Sequence, residues 1–94
     1  MTFDQTGAKV YRSKIVVTLR KSILDPQGKA IEHGVHSLGF EKVKDVRIGK
    51  FIELNVQTDD KTEAEQITKE VCEKLLANPI MEDFSFSVEN HQAT

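Results

Sequence analysis

Hydrophobicity along this chain switches between two periods, and the order of the switches constrains the fold more than any other feature. From residue 10 to residue 20 the period is two. Tyr11, Ile15, Val17 and Leu19, with Ser13 among them, share one side; Arg12, Lys14, Val16, Thr18 and Arg20 share the other. That pattern is a half-buried strand. The period then becomes helical, with Ile31, Gly34, Val35 and Leu38 forming one stripe. Asp25 is placed to cap this helix, Pro26 suits its first position, and Gly39 supplies a left-handed stop. Burying Ile31, Val35 and Leu38 would contribute about 1.5–3 kcal/mol each before entropy. Gly34 inside the helix costs about 1 kcal/mol against alanine, so it is read as a close approach to the sheet or to a partner.

Period two returns over residues 43–57. Val46 and Ile48 alternate, then Ile52, Leu54 and Val56, with Gly49-Lys50 between them as the turn of a hairpin. A second helix follows, capped by Asp60 with Glu63 or by Thr62 with Glu65, with Ala64, Ile67, Val71 and Leu75 as its stripe. Asn78-Pro79 ends it, and a last strand alternates Phe84, Phe86 and Val88 with Ser85, Ser87 and Glu89. The order strand, helix, strand, strand, helix, strand predicts an α+β fold. It is a ferredoxin-like βαββαβ arrangement: a four-stranded antiparallel sheet with both helices on one face. Its free face would carry Arg12, Lys14, Val16, Thr18, Phe51, Glu53, Asn55, Ser85 and Ser87. Val16 and Phe51 make that face a candidate subunit interface.

The chain has 94 residues, enough for one domain. We place it at 10–90, after a flexible extension over 1–9 and before a C-terminal tail over 91–94 that contains His91. The net charge of -2 argues against nucleic acid and anionic membranes, both of which need a clustered basic surplus. A single cysteine, Cys72, makes neither an internal disulfide nor a thiolate metal site. With no signal peptide and no apolar run near 18 residues, a cytoplasmic location is expected.

His33 and His36 share a helix face, but no third ligand accompanies them, so no metal is expected. The carboxylates of the second helix read as a solvated face, and the serines lack a nucleophile-elbow context. Gly28-Lys29 at a helix start is a weak hint of an anion loop, short of a P-loop by one glycine and a hydroxyl. Gly49-Lys50-Phe51 is only a fragment of an RNA-recognition signature, and Arg20-Lys21-Ser22 lacks the glycine cradle of an acylphosphatase-like loop. No catalytic residue is expected in this chain.

Three stretches carry more. VTLRKSILDPQGKAIEHGVHSLGF (Val17 to Phe40), VKDVRIGKFIELNV (Val43 to Val56) and CEKLLANPIMEDFSFSVE (Cys72 to Glu89) run in order over most of the chain. Together they resemble the PurS subunit of bacterial phosphoribosylformylglycinamidine synthase. The most specific pieces are LDPQGKA, His-Ser-Leu-Gly at His36 to Gly39, DVRIGK and EKLLANP. The resemblance implies a non-catalytic subunit of an ATP-dependent, glutamine-using C–N ligase of de novo purine biosynthesis. In such a complex the glutaminase PurQ releases ammonia. The synthetase PurL uses ATP and magnesium, and PurS holds the two together and assists ammonia transfer. It further implies a homodimer or homotetramer, with no cofactor bound by this chain. On that basis Gln27, Lys29, Arg47, Lys50 and Phe51 are the partner-facing candidates. Asp25, Pro26, Gly28, Gly39, Gly49, Asn78 and Pro79 are assigned structural roles in caps and turns. The competing class is a stand-alone regulatory module that binds a small ligand at a dimer interface.

Overall fold

A computed structural model describes residues 9–91. Strand β1 (Val10–Leu19) is followed by helix α1 (Pro26–Ser37), strand β2 (Gly49–Gln57), helix α2 (Lys61–Val71) and strand β3 (Glu82–His91). The sheet is antiparallel, in the order β2-β1-β3. β1 is central because it alternates most cleanly: Tyr11, Ser13, Ile15 and Val17 are all buried. Its register sets Ile15 opposite Ile52 and Phe86, and Ser13 opposite Leu54 and Val88, so one face of all three strands is apolar.

α2 covers that face. Asp60 caps it by accepting from the Thr62 N–H at 2.9 Å, and Glu63 takes the Thr58 hydroxyl. The residues it buries are Ala64 and Thr68, continued by Cys72 in the π-helical turn Cys72–Leu76 that closes it. This corrects the expected stripe. Ile67 is 37% and Leu75 78% exposed, so the helix is rotated to present small residues to the sheet. The cause is Ser13 in the middle of β1. Its hydroxyl lies 2.6 Å from that of Thr68, and both side chains are fully buried. A buried hydroxyl needs a partner, and the helix turns to supply one.

Two further expectations change. Among the described residues the sheet has three strands, because residues 43–48 form no strand and Gly49-Lys50 opens β2 instead of turning a hairpin. Their backbone groups find partners on α1 and its cap. The Ile48 N–H donates to Asp25 at 2.8 Å, the Val46 N–H approaches Glu32 at 3.4 Å, and Asp45 has a φ of 57°. Nor do both helices cover the sheet. Gly28 is the one buried residue of α1, while Ile31 and Leu38 are 45% and 75% exposed. The burial expected for Ile31 and Leu38 is therefore not made among the described residues, while Val35 is half-buried. Gly34 has open space where a side chain would stand, so the close approach expected there is absent.

The caps of α1 do hold. Asp25 accepts from the Gly28 N–H at 2.9 Å. Gly39 has a φ of 98°, and the bonds Phe40 N–H to Val35 O and Gly39 N–H to His36 O close the helix. At the chain ends, residues 1–8 of the expected extension and 92–94 of the expected tail lie outside the described residues. Lys9 is tied in, its N–H donating to Asp59 and its carbonyl accepting from the Thr58 N–H. His91 belongs to β3 rather than to a tail, with its Nε2 3.2 Å from Arg12.

Candidate functional site

The residues singled out by sequence gather mainly at one end of the sheet, where β1 stops and β2 starts. Leu19 ends β1, the chain turns through Lys21 and Ser22, and Asp25 opens α1. Asp25 is 4% exposed, yet its carboxylate is well supplied with donors. One oxygen accepts from Gly28 and the other from Ile48. These N–H groups, the Ile48 one foremost, hold its carboxyl below the ordinary aspartate range, and the Arg47 charge adds to the effect. One short side chain thus fastens the first turn of α1 to the residue before β2.

Gly28 permits this junction. A Cβ there would overlap the Val46 carbonyl oxygen, so no larger residue fits without moving backbone. Gly49 is similarly confined, since a Cβ would lie 2.7 Å from the Val17 carbonyl oxygen. Both glycines serve close approach, and Gly49 is a strand residue, not the turn expected of it.

Arg47 closes the junction from the other side. Its Nη1 donates to the Ile23 carbonyl at 3.2 Å, and its Nη2 to those of Leu19 and Arg20 at 3.2 and 2.8 Å. The guanidinium is thereby engaged with the end of β1. On the far side of that loop, Arg20 donates to the Pro79 carbonyl at 2.6 Å and its N–H bonds to Met81 O. Asn78 Oδ1 accepts from Ile80 and Met81, which makes Asn78-Pro79 the polar frame of the turn into β3.

The partner-facing candidates separate into three places. Lys29 and Arg47 line an open cleft of about 330 Å³ together with Lys21, Glu32 and Asp45. Gln27 and Lys50 line another, of about 230 Å³, with Val17, Ile48 and Glu82; the Lys50 ammonium stands 3.8 Å from Glu82. Asp25 borders both clefts. Phe51 is on the opposite sheet face, paired with Val16 across the β1–β2 ladder and 61% exposed. That face otherwise carries polar pairs, among them Lys14 with Glu89 at 2.8 Å and Arg12 with Asn55 at 3.2 Å.

Sequence reasoning missed how many large apolar side chains stand at the surface, two of them, Leu38 and Leu75, from the expected stripes. Leu24, Leu38, Phe40, Leu75 and Ile80 are each between 61% and 78% exposed. A faint signal existed: Leu75 and Leu76 cannot both face the sheet from adjacent helical positions. Cys72 is fully buried and burial pushes its thiol up, which keeps it protonated. His36 Nε2 is 2.7 Å from the Val43 carbonyl and so holds a loop. Among the described residues, no three His, Cys, Asp or Glu side chains stand close enough to hold a metal ion. Nor, among them, is any helix long and apolar enough to cross a membrane.

The described residues thus make a small α+β domain that spends its polar groups on internal joints and leaves large apolar side chains at the surface, the surface chemistry of a subunit interface. The family profile of PurS, phosphoribosylformylglycinamidine (FGAM) synthase, matches residues 12–90. The chain belongs to the PurS family. It is 46% identical over 80 residues to the FGAM synthase subunit PurS of Bacillus subtilis, covering 85% of this chain and 94% of that one. It also resembles the crystal structure of Methanocaldococcus jannaschii PurS, a subunit of formylglycinamide ribonucleotide amidotransferase in the purine biosynthetic pathway. The TM-score is 0.77 at 32% identity, over 87% of this chain and 99% of that one. A chain in the structure of PurLQS from Thermotoga maritima is similar at a TM-score of 0.75 and 34% identity, over 87% of this chain and 98% of that one.

Proposed function

We propose that this chain is the non-catalytic small subunit of FGAM synthase in de novo purine biosynthesis, bridging the glutaminase PurQ and the synthetase PurL. The observation that carries this reading is the extent of the family match, which takes in both helices and nearly the whole of all three strands. Its contribution is position and exclusion of water, so that ammonia released by PurQ reaches PurL without loss. ATP and magnesium belong to the assembled complex, on PurL, and this chain binds no cofactor. Its place is the cytoplasm.

Association with further copies fits the same reading. Among the described residues β2 and β3 are the outer strands, and an outer strand offers backbone groups to a neighbour. Pairing of two copies at such an edge would extend the sheet to the four strands expected from sequence, or beyond. A homodimer or homotetramer also gives the α1 stripe and the Val16–Phe51 patch something to cover them. Gln27, Lys29, Lys50 and Phe51 are the side chains proposed to meet the larger subunits.

The test is glutamine-dependent formation of formylglycinamidine ribonucleotide by PurL and PurQ of the same organism, with and without this chain. Activity that requires the chain, and that added ammonia restores in its absence, supports the coupling role. Equal glutamine-driven activity without the chain overturns it.

A further inference from the structure

We propose that α1 and the returning segment 38–48 form one self-bonded arm. Asp25 and Arg47 fix its angle to the sheet, so that Arg47 serves assembly by positioning the arm, not by touching a partner. The inference rests on the assembly role proposed above and assigns Arg47 a different part in it.

The arm is bonded to itself along its length. Near the α1 start, Gly28 lies against the Val46 carbonyl. Midway, Glu32 accepts from the Val46 N–H at 3.4 Å, which lowers its carboxyl below the ordinary range. Near the α1 end, His36 bonds the Val43 carbonyl at 2.7 Å, and the Gly39 stop turns the chain back. Toward the sheet the joint is polar and small. α1 buries one residue, a glycine, and leaves Ile31 and Leu38 of its apolar stripe exposed. An apolar interface resists rotation through many contacts, whereas this joint resists it through a few directed bonds.

Those bonds act as a pair. Asp25 ties the α1 start to the β2 start, which alone leaves the arm free to swing about that line. The three carbonyls held by Arg47 belong to Leu19, Arg20 and Ile23, at the end of β1 and in the loop beyond it. That second attachment removes the swing. A guanidinium suits this task because its planar fork spans several acceptors at once, which an ammonium does not.

Amide hydrogen exchange on the free chain tests the joint directly. In Arg47→Ala the Ile48 amide, which Asp25 holds across the joint, is expected to exchange about tenfold faster, the worth of a charged-group hydrogen bond, with the β1 and β3 ladders unchanged. Unchanged exchange at Ile48, or equal acceleration through the sheet, overturns the proposal. The assembly arm of the test titrates each variant into PurL and PurQ and reads glutamine-driven turnover. Arg47→Ala is expected to raise the concentration for half-maximal activity about tenfold at an unchanged plateau, and Arg47→Lys to recover part of that loss. Gly28→Ala opens the same seat without altering the guanidinium. Adding Arg47→Ala to it should change little further. Fold-changes that multiply instead mean that Arg47 meets the partner directly, and the proposal fails. Should Gly28→Ala not fold, Asp25→Asn replaces it, since the amide turns a donor toward a donor. If wild-type chain gives no glutamine-driven activity, the assembly role fails, while the exchange measurement still decides whether the arm is held as described.

Discussion

Removing the hydroxyl of Thr68 is expected to destabilise the fold by about 1–3 kcal/mol, through the group left behind on Ser13. The two hydroxyl oxygens are 2.6 Å apart, and neither side chain has any exposed surface. Thr68→Val keeps the volume and leaves no cavity. What it removes is the partner of a hydroxyl in the middle of the central strand, and water does not reach that position. Ser13→Ala does the same to Thr68, with a small void besides. Replacing both at once removes the pair and its desolvation penalty together, so Ser13→Ala/Thr68→Val should return to within about 0.5–1 kcal/mol of wild type. The coupling energy is then about 1–5 kcal/mol, above the scatter of independent sites. For a chain of this length each kcal/mol shifts Tm by about 4–8 °C, so the single variants separate clearly from the double one. Urea unfolding followed by circular dichroism reads the effect. The concentration of chain must be held constant, because self-association shifts apparent stability. Single variants with the wild-type midpoint, or a double variant that loses the sum of the two, would refute the claim that this pair sets the rotation of α2.

Other expectations are smaller in scope. Gly34→Ala should stabilise the free chain by about 0.5–1 kcal/mol, because nothing stands within 4 Å of the new methyl group. Gly49→Ala should destabilise it by about 1–3 kcal/mol through the Val17 carbonyl, and the same unfolding curves check both. Asp25 sets a pH dependence: its folded carboxyl lies below its unfolded value, so the unfolded chain binds more protons in between. Its contribution is full above about pH 4 and is lost as pH falls through the depressed value. An acid titration of stability should therefore be flatter in Asp25→Asn than in wild type. Cys72 should react with a thiol reagent only at the rate of unfolding, since the folded thiol is wholly buried. Rapid stoichiometric labelling of native chain would contradict that burial.

The sequence by itself determined the local structure. Strict alternation fixed β1 and β3, because a period of two leaves one face apolar only when the chain is extended. Asp25-Pro26 and Gly39 fixed the ends of α1, because caps act within a turn of the residues that need them. The resemblance of LDPQGKA, DVRIGK and EKLLANP to PurS reached the family, because their order and spacing over most of the chain are specific. What only the tertiary structure decided was where each amphipathic face goes. Val46 and Ile48 alternate as a strand does, yet their backbone groups are claimed by α1 and Asp25. That competition is invisible to a local pattern. The α1 stripe is a sound helical stripe, but periodicity says that a face is apolar and not which surface it meets. α2 turned Ile67 and Leu75 outward because Ser13, far away in the chain, required a hydroxyl opposite it. Arg47 was a partner-facing candidate from sequence, and its bonds to the end of β1 were hidden for the same reason. Its acceptors are backbone carbonyls at Leu19, Arg20 and Ile23, and every residue type carries a carbonyl, so sequence does not mark the ones that folding brings within reach.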